Sequence, residues 1–345
     1  MGVQLKDLID GKEVQLEELK GKKIAVDASM WLYQFISSIR SPDGSLFTDS
    51  KGRITSHLIG LSARIPKLMQ AGIKLAFVFD GPPPELKFHE RTRRQEIKVA
   101  AATEYKKAKK QKDIAGMRKY AVMTSKLTQE MVEDSIDLIK AFGIPVLKAK
   151  SEAEAQAAYM VKKKDVYAVA SNDYDSFLFG APRIVRNLNI VGKRKKAGAM
   201  KYIKVKPEII KISDTLNKLG IDQEQMIVAG MLVGTDYNIG GIKGIGPKGA
   251  IKLVKGYKND FGALFEKVGW DKYFDYPWTQ VFYLIRKMPV KKDYTLNWKD
   301  YNEKKLNDVL VKKHNFSEER VEKIINMFAK VKEKQQQKGL GDWVK

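Results

Sequence analysis

Short blocks of consecutive apolar residues alternate with longer stretches of helical periodicity. Ile24-Ala25-Val26, Leu75–Phe79, Ile144–Leu147 and Val166–Ala170 are too short for buried helices and predict buried strands. The first ends at Asp27, the second at Asp80 and the fourth before Asn172-Asp173-Tyr174-Asp175. Helical patterns follow Asp27 through Trp31, Leu32 and Phe35, and recur over 56–71, 128–142, Ser151 to about 162, and 222–233. Ser41–Arg53 has the Pro, Gly, Asp and Ser content of a loop, and Lys193–Lys196 reads as a basic loop. Residues 85–120 form the most basic helical stretch, with twelve Lys/Arg against four Asp/Glu between Lys87 and Lys119. Strands alternating with helices favour an α/β fold, a largely parallel central sheet with helices on both faces. In such a sheet, ligands sit beyond the carboxyl ends of the strands. The last dozen residues are polar and Gly/Gln-rich, which reads as a flexible tail.

Charge narrows the field of partners. Over 345 residues, 64 Lys and Arg face 41 Asp and Glu, a net charge of +23 and a pI near 9.7. Such an excess points to a polyanion: DNA, RNA or an anionic membrane surface. No long basic amphipathic anchor supports the membrane option. The absence of cysteine excludes disulfides, thiolate zinc sites, iron–sulfur clusters and cysteine nucleophiles. His57, His89 and His314 are scattered, so a bound metal would be held by oxygen, which suits Mg²⁺ or Mn²⁺. With no secretory signal and no apolar run of spanning length, a soluble intracellular protein is expected.

The acidic residues each have an ordinary explanation. Asp27 and Asp80 fit turns or helix caps, and Asp173 and Asp175 fit Asx-turns. Asp236, in Gly234-Thr235-Asp236-Tyr237, fits a helix terminator. Ser151-Glu152-Ala153-Glu154 matches a capping box, with Ser151 as N-cap. Two residues apart on a regular helix point about 200° apart, so Glu152 and Glu154 share a site only where the chain enters the helix. Taken together these explanations weaken, because a parallel sheet brings several of these carboxylates to one edge. Clustered carboxylates repel, and divalent cations relieve that repulsion. Two cations about 3.5–4 Å apart define the two-metal phosphodiester mechanism. A basic protein with an acidic, oxygen-only site suggests a nuclease or a polymerase.

The segments Ile24–Ser29, Val78–Gly81, Glu152–Ala155, Ser171–Asp175 and Gly234–Tyr237 resemble the flap endonuclease family, in its order and spacing. The resemblance covers essentially the whole chain. It implies a structure-specific endonuclease that removes 5′ flaps from branched duplex DNA in replication and repair, with 5′–3′ exonuclease activity. It further implies two Mg²⁺ ions, with Mn²⁺ able to substitute. One would be held by Asp27, Asp80, Glu152 and Glu154 and the other by Asp173, Asp175 and Asp236, with Glu154 near both. The domain plan would be one nuclease domain over 1–330, its N-terminal region reaching about 105 and its internal region about 123–260. A tail would follow over 331–345. The alternatives are another 5′ nuclease of the superfamily and a non-catalytic DNA-junction-binding protein. The full set of seven carboxylates opposes the second alternative.

Lys87, Arg91, Arg94 and Lys98 recur at helical spacing and form one stripe. By resemblance, Lys87 and Arg94 meet the scissile phosphate, Tyr33 stacks on a base at the junction, and the helices to about 120 form an arch for the 5′ flap. Gly244-Ile245-Gly246-Pro247-Lys248-Gly249-Ala250, with Lys243, Lys252 and Val254, fits a helix–hairpin–helix whose amides hold a phosphate. The family places a helix–two-turn–helix over 236–254, gripping duplex DNA and often a monovalent cation. At the other end, Gln337, Leu340, Trp343 and Val344 resemble the motif that docks on a sliding clamp, PCNA, with Val344 replacing an aromatic. A clamp motif this close to the end resembles archaeal members. The expectation is a monomer in the cytoplasm, associated with the nucleoid (nuclear in a eukaryote).

Overall fold

In β2 (Lys23–Asp27) and β3 (Lys74–Phe79), which pair in parallel, successive side chains enter two different cores. Ile24, Val26, Leu75, Phe77 and Phe79 pack on one face with Trp31, Phe35 and Phe142. Ala25, Ala76 and Val78 pack on the other against the alanines of α6 (Ala153–Lys162). Small residues on both surfaces let that helix lie close to the sheet. The computed structural model describes residues 8–190, 193–195 and 202–341, with side chains through 329 except in 193–195 and 202–204.

Five further strands complete the main sheet: β1 (Lys12–Glu13), β4 (Val146–Lys148), β5 (Ala168–Ala170), β6 (Arg183–Arg186) and β9 (Glu208–Lys211). The order is β1-β9-β6-β5-β2-β3-β4. From β6 to β4 every pairing is parallel, whereas β9 runs antiparallel to both β6 and β1. The expected α/β class is therefore correct, with an antiparallel edge that the short strands β1, β6 and β9 did not announce. Of the basic loop expected at Lys193–Lys196, Lys196 lies outside the described residues and Lys193–Lys195 form a strand. β7 (Lys193–Lys195) pairs antiparallel with β8 (Tyr202–Lys204). A count of charges does not register backbone pairing, which is what orders this segment.

The helices are α1 (Ala28–Ser38), α2 (Ser56–Gln70), α3 (Phe88–Lys110), α4 (Ile114–Met123), α5 (Gln129–Ala141), α6, α7 (Asp175–Leu178), α8 (Ile212–Leu219) and α9 (Gln223–Val233). After them come α10 (Pro247–Tyr257), α11 (Phe261–Val268), α12 (Trp278–Arg286), α13 (Glu303–Asn307) and α14 (Glu318–Gly341). The basic stretch over 85–120 divides in two: Asp113 caps α4 by accepting from Gly116 N at 2.9 Å. At the C-terminus, α14 continues to Gly341, where the sequence suggested a flexible tail from 331. Lys, Glu and Gln are good helix formers, and no Pro interrupts them. Among the described residues, no helix is long and apolar enough to cross a membrane.

Candidate functional site

Strands β4, β3, β2 and β5 lie side by side and parallel, so the loops leaving their carboxyl ends share one edge. Asp27 ends β2 and caps α1, its Oδ1 accepting from Met30 N at 3.0 Å. Asp80 follows β3, and its Oδ1 accepts from Ala153 N at 2.8 Å. Asp80 thus caps α6 from another loop, and the expected capping box is not formed. The N-cap is Glu152, whose side chain makes no cap bond, while Ser151 Oγ donates to Pro82 O at 3.2 Å. Glu154 is turned to other donors: the hydroxyls of Ser171 and Ser176 each reach its Oε1 at 2.8 Å. Gly81 is the cause. A Cβ there would stand 2.4 Å from Ala149 O, so only glycine lets the exit of β3 pass so close to the entry of α6.

Glu152 keeps extended dihedrals (φ −80°, ψ 131°), so it and Glu154 reach the same cavity although they are two apart in sequence. Asp173 lies in the loop after β5, and Asp175 opens α7. Asp236 comes from a turn beyond α9. That turn needs glycine at 234 (φ +110°) and 241 (φ +58°), and Thr235 and Asn238 close it with a 2.6 Å side-chain bond.

All seven carboxylates singled out in the sequence line one cavity of about 550 Å³. Lys87, Arg94, Lys98 and Tyr33 line it too. Lys87 Nζ lies 2.7 Å from Glu152 Oε2 and 3.4 Å from Asp236 Oδ2. Arg94 reaches Asp236 at 2.8 Å and Glu90 at 2.6 Å. Lys98 Nζ stands 5.4 Å from the centroid of the Tyr33 ring, a cation–π contact. Arg91 departs from the expectation: it is exposed and not part of the cavity wall. Its place is taken by Arg93, which the stripe at 87, 91, 94 and 98 passes over. The i, i+3 and i, i+4 spacing of Arg93 and Arg94 from Glu90, which pairs with both, was the signal for that residue.

Among the described residues, seven carboxylates and the four cations Lys87, Arg93, Arg94 and Lys98 line the cavity. Burial, and next the Asp80 charge, push Asp27 up to about 8. Burial and the charges of Asp175, Asp27 and Asp173 push Glu154 well above its ordinary range. Burial alone would lower the Lys87 ammonium, but Glu152 and Asp236 outweigh it and hold the proton on. Among the described residues, no three acidic or imidazole groups stand at the spacing of a closed ligand shell. The carboxylates surround the cavity, and Lys87 bridges two of them. The donor set nonetheless suits hard divalent cations: it is all oxygen and carboxylate-rich.

Away from this edge, Gly246 caps α10 without a side-chain bond and Pro247 takes the first helical position. A Cβ on Gly244 or Gly246 would meet nothing within 4 Å, so neither glycine serves internal packing. Lys243, Lys248 and Lys252 are exposed beside them. These are the features a backbone-held phosphate requires. Of the clamp-like residues, Gln337 and Leu340 lie on α14, whereas Trp343 and Val344 fall outside the described residues.

The chain is similar to known proteins over nearly its whole length. Residues 1–101 match the XPG N-terminal domain and residues 143–236 the XPG I-region. The chain is 47% identical to flap endonuclease 1 of Pyrococcus horikoshii, over 99% of this chain and 98% of that protein. It is 44% identical to flap endonuclease 1 of Hyperthermus butylicus, with all of both chains covered. Its fold is similar to that of the solved flap endonuclease-1 from Methanococcus jannaschii (TM-score 0.74, 38% identity, 96% of this chain and 98% of that one). The catalytic core of Rad2, solved in complex with DNA substrate, is 25% identical with a TM-score of 0.69, over 95% of this chain and all of that one.

Proposed function

The chain belongs to the flap endonuclease family, a structure-specific 5′ flap nuclease, and from that premise we propose how its residues divide the work. The observation that carries the reading is the gathering of seven carboxylates, from segments far apart in sequence, on one cavity. Asp27, Asp80, Glu152 and Glu154 hold one divalent ion and Asp173, Asp175 and Asp236 a second, Mg²⁺ being the fitting choice and Mn²⁺ a substitute. Bound there, such ions lower the pKa of water and offset charge at the phosphate. Lys87 and Arg94 supply fixed positive charge where a phosphate enters. Tyr33 offers a stacking face at the mouth, with Lys98 against its ring. Helices α3 and α4 arch over the cavity, and the single strand of the flap passes beneath them.

The turn before α10, with its open glycines and exposed lysines, grips duplex DNA away from the cut through backbone amides. A monovalent cation fits the same phosphate-holding role. The C-terminal segment carrying Gln337, Leu340, Trp343 and Val344 docks on a sliding clamp. The enzyme acts as a monomer in the cytoplasm, close to the nucleoid. A purely DNA-binding role fits less well, since binding a polyanion gains nothing from seven carboxylates gathered on one cavity.

The test is cleavage of an end-labelled double-flap substrate in Mg²⁺, beside matched single strand and blunt duplex. The flap should be cut near the junction far faster than either control, and only with a divalent ion present. Asp80→Ala should abolish cleavage while still binding the junction. Near wild-type turnover by that variant would refute the metal assignment.

A further inference from the structure

Arg40 lies two residues beyond α1, and among the described residues its guanidinium donates to three neutral acceptors. Nε reaches Ile36 O at 2.8 Å, one Nη reaches Gly44 O at 2.7 Å and the other reaches Ser125 Oγ at 2.7 Å. The acceptors belong to three separate segments: the last turn of α1, the loop over 41–45, and the chain returning from α4. Ser125 is itself fixed, being buried with its hydroxyl donating to Val122 O at 2.7 Å. The loop and α4 are also in direct contact. Arg118 Nε donates to Pro42 O, and a Cβ on Gly44 would lie 3.0 Å from Arg118 Cα.

These contacts decide how the arch is closed. The start of α3 is held to the carboxylate site through Lys87 and Arg94. On the returning leg, Val122, Met123 and Ser125 line the same cavity as Tyr33 and Ser37 of α1. Arg40 ties these two walls together. We propose that Arg40 is a positioning residue for flap cleavage, fastening the returning leg of the arch to α1 and so setting the opening through which the single strand reaches the carboxylates. This rests on the reading that the flap passes beneath the arch. The planar fork matters as much as the charge, because three acceptors in fixed directions cannot be matched by a lysine ammonium on a flexible stem.

The experiment compares single-turnover cleavage of a 5′-flap duplex with that of a nicked duplex, which has no strand to admit. Thermal melting of each variant is measured alongside. A bulky protein block on the 5′ end of the flap first tests the underlying reading in the wild type: cleavage that ignores the block would remove it. With the reading intact, Arg40→Ala should lower the flap-to-nick rate ratio on the order of ten- to a hundredfold, the scale of about 1 Å misplacement. Arg40→Lys should lower it nearly as much, and Ser125→Ala, which removes one bond of the three, should lower it less. An unchanged ratio in Arg40→Ala, a parallel fall on both substrates, or full activity in Arg40→Lys would each overturn the proposal. The last result would make Arg40 an ordinary phosphate contact.

Discussion

Replacing Gly81 with alanine adds one methyl group at the point where two of the site-forming loops cross. The added Cβ would stand 2.4 Å from Ala149 O and 2.8 Å from both the carbonyl carbon and the oxygen of Lys150. All three are backbone atoms, so no side chain can swing aside. Relief needs a shift of about 1 Å between the exit of β3 and the entry of α6, the scale at which overpacking costs about 1–3 kcal/mol. The same shift strains the 2.7 Å bond from Gly81 N to Ser151 O and the 2.8 Å cap from Asp80 to Ala153 N. It also moves Glu152 relative to Asp80 and Lys87. A displacement near 1 Å in a catalytic group costs about 10²-fold in rate, or about 2.7 kcal/mol of barrier. Single-turnover flap cleavage at saturating enzyme, with thermal melting in parallel, reads both effects. Gly256→Ala is the control, since its Cβ meets nothing within 4 Å and it lies inside α10, where alanine is the better helix former. A Gly81→Ala enzyme cutting within twofold of wild type would refute the argument that this close approach sets the carboxylate geometry.

Lys87→Ala and Arg94→Ala should each slow the chemical step on the order of 10²–10³-fold while weakening binding much less, since each removes one cation at the reacting phosphate. Unchanged single-turnover rates with weaker binding would make them ordinary contacts. His57 is fully buried, and burial pushes its pKa from 6.5 down to about 4. The unfolded chain therefore takes up a proton as pH falls through 6.5, and the folded chain does not until about 4. Stability from this group is complete above about 6.5 and declines toward 4, by about 3 kcal/mol in all. Urea melts from pH 7 to 4 should show the slope in wild type and a shallower one in His57→Leu; identical slopes would remove His57 as the source. Deleting residues 335–345 should leave unstimulated cleavage unaltered and abolish stimulation by a clamp, with Trp343→Ala giving most of the loss. Calorimetry showing wild-type clamp affinity in the deletion would end the docking proposal.

Alternating apolar runs and helical segments were enough to identify a parallel α/β sheet and the edge where its ligands gather, because strand and helix periods differ and β2, β3 and β5 are buried on both faces. The seven carboxylates were legible for the same reason, since each lies at or near the end of an element whose type the local pattern declares. Their partners were not legible. Ser151 and Glu154 carry the local signature of a capping box, yet the cap comes from Asp80, a residue 73 positions from Ala153. A helix N-terminus accepts any well-placed oxygen, and a contact across the fold displaced the local one. Arg91 and Arg93 make the same point on a helix face. Spacing gives the stripe, but only the packing of α3 through Glu90, Arg94 and Asp236 decides which residues meet the cavity. The short strands β1, β6 and β9, and the three-way bond of Arg40, depend wholly on chain segments distant in sequence. No local pattern carries them, because their hydrogen bonds exist only once those segments have been brought together.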